Sequence, residues 1–183
     1  LVEGTTFGLV GALAAFPRRL AAREVARQGG RLGRGVTRGT SHVVFGRTLL
    51  ARAGDATIEA RRDAARSSGR RLLSENGFLR ALGLLGAPGA STMTRAALID
   101  QSQLQPDTLD LLSLFDAFER DAEPYSFRDL ILARKYAGLM AGGASWAAIA
   151  RSVHRSGAVA SLTARSLQVE HGAAVCARDG EGV

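Results

Sequence analysis

The sequence predicts two folded domains of different class: an α/β domain built on a four-stranded, mostly parallel sheet flanked by helices, then a mainly α domain with a C-terminal β-hairpin. Three observations carry this. In the first half, strand-like and helix-like stretches follow the order β-α-β-β-α-β-α, and successive parallel strands need crossovers. Between the halves, Gly83 to Ala90 packs three glycines and a proline into eight residues, a composition that breaks helix and strand alike. The charge divides at the same place: residues 1 to 86 hold 15 Arg and 6 acids (+9), and residues 87 to 183 hold 8 Arg, one Lys and 11 acids (−2). The expected layout is an α/β domain over 3–86, a linker over 87–91, a helical domain over 92–156 and a tail over 157–183.

Each element has a local reason. Thr5 to Gly11 reads as a short strand, and Pro17 suits a helix start because its missing N–H is not needed there. That helix carries a small-residue stripe of Ala21, Ala22, Val25 and Ala26 and stops at Gly29-Gly30, Gly29 taking the left-handed conformation at its end. Arg31 to Val36 is a second strand, and Ser41 to Gly46, rich in β-branched and aromatic residues, is a third. Thr57 to Ser68 fits a helix ended by Gly69, and Arg71 to Ser74 a fourth strand. Asn76 is expected to cap a last helix carrying Phe78, Leu79, Leu82 and Leu85.

In the second half, Ser91 or Thr92 is expected to cap a short helix over Ala96 to Ile99, and Pro106-Asp107 opens another with Leu111, Leu112, Phe115 and Phe118 on its apolar face. Ser126 caps a third, carrying Phe127, Leu130, Ile131 and Leu139 and stopping at Gly142-Gly143. Ser145 caps a fourth, with Trp146, Ile149, Ala150 and Val153 on one face. From Ser166 the tail reads as a hairpin, turning at His171-Gly172 and returning over Ala173 to Ala177.

In the first half, Gly11 closing the first strand, Gly29-Gly30 after the first helix, Thr40-Ser41-His42-Val43-Val44 in the third strand and Ser74-x-x-x-Phe78-Leu79 at the last helix resemble the BRCT domain. The version carried by bacterial DNA ligases and clamp-loader large subunits is the nearest likeness, over residues 3–86. The resemblance implies a phosphate site made of a Ser or Thr before the closing glycine, the N–H of that glycine, and a basic residue of the second helix. Here the first position is Val10, whose isopropyl group offers no hydrogen bond. Gly11 and Arg61 or Arg62 retain the other parts of the site.

Residues 92–154 resemble the MerR-type winged helix-turn-helix through Gln105-Pro106-Asp107-Thr108-Leu109, Tyr125-Ser126-x-x-Asp129-Leu130 and Gly142-Gly143-Ala144-Ser145-x-x-x-Ile149. That family usually continues from Thr-Leu into Arg-Tyr-Tyr-Glu, whose Arg meets the DNA backbone. This chain has Asp110-Leu111-Leu112-Ser113, and an aspartate repels phosphates. The segment Glu119 to Glu123, matching the family's basic wing, holds one Arg among three acids.

Length and composition (183 residues, 46% hydrophobic, 22% charged) are those of a folded protein, not of a disordered or collagen-like one. Lys135, the single lysine, is followed by Tyr136, which excludes a P-loop. One cysteine, Cys176, makes a reducing cytoplasm the expected setting, with nucleoid association open. His42, His154 and His171 lack ligand spacing, so no metal and no cofactor are expected. No apolar run reaches the ~20 residues of a membrane span, and a start at Leu1 rather than Met leaves open a piece of a longer chain or a removed signal.

Arg19, Arg23 and Arg27 fall at i, i+4 and i+8, as do Arg62, Arg66 and Arg70, so each set is expected to line one helix stripe. Guanidinium groups ~6 Å apart can follow a phosphate backbone, or can be a solvated face with Glu59 and Asp63 as local partners. Asp129 reads as a helix N-terminal acid, Trp146 as core, and Glu119, Asp121 and Glu123 as a solvated loop. Nothing assembles a nucleophile, base and orienter, so no enzyme is expected. The expectation is a non-enzymatic bacterial adaptor in DNA repair, replication or transcription, binding DNA through its phosphates or a DNA-associated protein, with homodimerisation open. A protein–protein scaffold and a MerR-type regulator are the alternatives.

Overall fold

A computed structural model describes residues 2–15, 17–87 and 89–155, together with the backbone of two strands near the C-terminus. The chain divides into two compact units, Leu1–Ala87 and Pro88–Val183.

The first unit contains β1 (Thr6–Val10), α1 (Arg18–Arg27), β2 (Arg31–Arg34), β3 (His42–Phe45), α2 (Leu49–Arg52), α3 (Asp55–Ser67), β4 (Arg71–Ser74) and α4 (Glu75–Ala81). Its sheet runs β2-β1-β3-β4, and all three pairings are parallel, so the expectation of a mostly parallel sheet sharpens to a wholly parallel one. Strand residues alternate between faces. Phe7, Leu9, Leu32 and Val44 share a face and form one core with Ala21 and Val25 of α1 and Phe78 of α4. Val10 and Val43 belong to the opposite face, beside Ala64 and Ala65 of α3. The sheet is thus covered on both sides, as an all-parallel sheet requires.

Several local expectations are corrected. The stripe of α1 is narrower than its alanines predict, because only Ala21 and Val25 are buried while Ala26 faces solvent. Gln28 is the residue at its end, and Gly29 follows with φ +82°. β2 stops at Arg34, leaving Val36 exposed. The one-turn helix α2 is additional. Ser74, not Asn76, caps α4: its hydroxyl accepts from the Gly77 N–H at 2.9 Å, which a side chain two residues further on cannot do. α4 also ends at Ala81, so Leu85 lies beyond it.

The second unit contains α5 (Arg95–Ser102), α6 (Pro106–Leu114), α7 (Phe127–Ala141), α8 (Trp146–Arg155) and an antiparallel pair, β5 (Ser166–Glu170) and β6 (Ala174–Arg178). The expected turn at His171-Gly172 lies outside the described residues. Thr94, not Ser91 or Thr92, caps α5, accepting from the Ala97 N–H at 3.1 Å. Pro106 occupies the first turn of α6, and Phe118 lies past that helix. Ser126 and Asp129 form a reciprocal capping box at α7. Phe127, the first residue of that helix, is 69% exposed, whereas Leu130 and Leu139 are buried. Trp146, Ile149, Ala150 and Val153 are buried together, and Trp146 stacks on Phe115 at 5.6 Å.

Candidate functional site

The two arginine sets meet different fates. Arg19 and Arg23 on α1 are exposed and make no hydrogen bond or ion pair among the described residues. Arg27 is exposed but engaged, its Nε reaching Glu24 at 3.0 Å in a two-pronged pair. That hydrogen bond is the main reason the Glu24 carboxyl falls to about 2, with Gln28 adding a second donor.

The second set does not form a stripe. Arg62 is only 6% exposed, because it lies on the same side of α3 as Ile58 and Ala65, and it pairs with Asp63 at 3.1 Å. Arg66 is exposed. Arg70 lies past the end of α3, its guanidinium donating to the Thr40 carbonyl at 3.0 Å and the Thr37 carbonyl at 2.9 Å, which pins the β2–β3 loop. The i, i+4, i+8 spacing fails here because the helix stops at Ser67 and the core takes Arg62.

What the fold does bring together is Gly11 and Arg61. Both line a cavity of about 380 Å³ at the C-terminal end of β1, with Val10, Val36, Ala64 and Arg70 around it. Gly11 is exposed, with φ +74°, and a Cβ there would meet the Leu49 Cβ at 3.0 Å, so glycine is demanded twice over. Neither the Gly11 N–H nor the exposed Arg61 guanidinium has a partner among the described residues. The Arg70 guanidinium adds positive charge nearby while its bonds hold it to the loop. Val10 contributes apolar wall and no donor, as its side chain dictates. The cavity thus has Gly11 and two arginines, Arg61 and Arg70, on its wall, with no acid among its described lining residues.

Sequence reasoning did not find Glu75. Its side chain is fully buried and accepts from three backbone N–H groups, Ala14 at 2.7 Å, Ala15 at 3.0 Å and Arg47 at 3.1 Å, with the Arg47 guanidinium at 3.5 Å. One carboxylate thus ties the loop after β1 to the loop after β3 and fixes the strand ends beside Gly11. No spacing signal points to it, since Ala14 and Glu75 are 61 residues apart. His42 sits beside Phe7 with its Nδ1 2.9 Å from Ser41 Oγ, and burial, then Arg71, hold it below the usual histidine range.

In the second unit several acids between 110 and 129 are already engaged. Asp110, the residue at odds with phosphate contact, is gripped by Arg95 through Nε at 2.8 Å and Nη2 at 2.7 Å. Glu119 meets Arg128 at 3.2 Å, and Glu123 accepts from the Arg95 N–H at 2.6 Å. Asp129 accepts from the Glu119 N–H at 2.8 Å and the Ser126 N–H at 3.1 Å, while burial raises its pKa. These carboxylates brace the 119–126 segment, and no cluster able to hold a metal occurs among the described residues. Nor is any helix among those residues long and apolar enough to cross a membrane. Compared with known proteins, the chain matches no family model, and no curated protein matches its sequence.

Proposed function

We propose that this chain is a non-catalytic adaptor whose first unit holds one exposed phosphate group, on DNA or on a DNA-associated partner, between the Gly11 N–H and Arg61. The observation that carries this is the cavity at the end of β1, which unites two groups 50 residues apart that have no other partner among the described residues. The BRCT resemblance supports it, since that resemblance implies a parallel sheet between helices and a phosphate held at these positions. A terminal or nick phosphate suits the site better than a continuous duplex. A cavity of about 380 Å³ with one free guanidinium offers one anion position, and the second arginine stripe needed to follow a backbone is not assembled.

The reading is tested by titrating nicked 5′-phosphorylated, nicked unphosphorylated and intact duplexes at low and moderate salt. Preference for the 5′-phosphorylated nick is expected, with a shallow salt dependence set by few neutralised phosphates. Absence of binding to all three at low salt contradicts the nucleic-acid reading.

The scaffold alternative is favoured by one observation, the capture of Arg62 and Arg70 by the fold, which removes two cations from any continuous basic track. It predicts a protein complex that survives Arg61→Ala. A MerR-type regulator would have to read DNA beside Asp110 and Glu119, both already engaged in ion pairs.

A further inference from the structure

On the other face of the sheet, α1 and the end of α4 enclose an open groove of about 600 Å³. Its apolar lining includes Leu79 and the exposed side chains of Leu20 (41%) and Leu84 (50%). Leu84 is there for a backbone reason. Gly83 has φ +72°, the Gly83 N–H donates to the Arg80 carbonyl and the Leu84 N–H donates back to the Leu79 carbonyl at 2.9 Å, so the chain folds Leu84 onto the last turn of α4. The groove is also held in shape. Gln28 donates from one amide nitrogen to both Glu24 and the Leu82 carbonyl, 2.8 Å each, bolting the end of α1 to the end of α4.

We infer that this groove is a docking site for an acidic peptide segment of a partner protein, one that inserts a large apolar side chain between Leu20 and Leu84 and sets carboxylates against Arg23. The charge on the rim selects the occupant. Arg23 and Arg27 line the groove, Arg19 lies one helical turn from Arg23, and Glu24 is the one acid among the described lining residues, already bound to Arg27. A second copy packed groove to groove would bring a +9 unit against the same cations and is disfavoured. Nucleic acid bases are disfavoured too, because the described lining residues offer leucine and alanine and no aromatic platform. The volume falls within the range that takes a few side chains. The inference is independent of the phosphate reading, because α1 and α4 cover the opposite sheet face from Val10 and α3.

The test is fluorescence anisotropy of the full chain with a labelled synthetic peptide of about four helical turns, bearing leucines on one face and glutamates elsewhere. Companion peptides carry lysine for glutamate, or serine for leucine. The acidic peptide should bind at least about tenfold tighter than either companion. Leu84→Asp and Arg23→Glu should each weaken it by about tenfold, the second effect shrinking at high salt. Both positions are exposed, so an unchanged thermal midpoint shows that the variants fold. No binding of the acidic peptide, equal binding of the lysine peptide, or full binding by Leu84→Asp overturns the inference. So does a concentration-dependent dimer that Leu84→Asp abolishes, which would assign the groove to a second copy.

Discussion

The α1 and α3 segments carry the same arginine spacing and use it in opposite ways. On α1, Arg19 and Arg23 are left to solvent, and the buried side belongs to Ala21 and Val25. On α3, Arg62 is drawn into the buried side with Ile58 and Ala65, and Arg70 becomes a clamp on the β2–β3 loop. Periodicity places residues on a common stripe, but the phase of that stripe against the core decides whether its charge is available to a partner or consumed by the fold. Net charge is a poor guide for the same reason. Of the 15 arginines in residues 1–86, those with a structural job have little left to offer an external phosphate.

Replacements on the two sides of this divide should behave differently. The largest effect is expected where a charge is most fully consumed: Glu75→Ala strands the N–H groups of Ala14, Ala15 and Arg47 and should cost about 3 kcal/mol in urea unfolding. A cost below about 0.5 kcal/mol would mean that the strand-end loops do not depend on it. Next come the arginines themselves. Arg62→Ala removes a buried stem and should cost about 2 kcal/mol, whereas Arg23→Ala should stay within about 0.5 kcal/mol. Equal costs would erase the contrast between the helices. Arg70→Ala, losing two charge-assisted bonds to carbonyls, should cost about 1.5 kcal/mol and speed amide exchange in the Thr37–Thr40 loop.

The smallest effect concerns the exposed pair on α1. Because the folded state lowers the Glu24 carboxyl from 4.5 to about 2, the pair contributes stability above pH 4.5 that is lost as pH falls toward 2. Carboxyl NMR titration of Arg27→Ala should show Glu24 returning toward 4.5, since the Arg27 hydrogen bond is the leading cause. A midpoint that stays near 2 would shift the credit to Gln28.

Much of this fold was legible because it is written in local chemistry. Gly29 and Gly69 have the positive φ that their positions after helices call for, Pro106 opens α6, and Ser126 and Ser145 cap where a hydroxyl before an apolar run should. The parallel order followed from the alternation of strands and crossovers. What could not be read depends on distance in the chain. Glu75 finds its partners about 30 and 60 residues away, and the inward turn of Arg62 follows from where Ile58 meets the sheet. Four-residue α2 is too short to show a period. The groove was missed because the last helix was expected to run through Leu85, whereas Gly83 ends it and turns Leu84 back. At the candidate phosphate site, Gly11 was legible only through the BRCT resemblance, as the glycine closing the first strand. The choice of Arg61 over Arg62 needed the phase of α3.

The account rests on Gly11 and Arg61 acting together on one phosphate, and it is tested most directly by comparing wild-type and Arg61→Ala chains on a nicked duplex with and without its 5′-phosphate. The wild type should prefer the phosphorylated nick by about tenfold, and Arg61→Ala should bind both duplexes alike with an unchanged thermal midpoint. A phosphate preference that persists undiminished in Arg61→Ala would contradict the account.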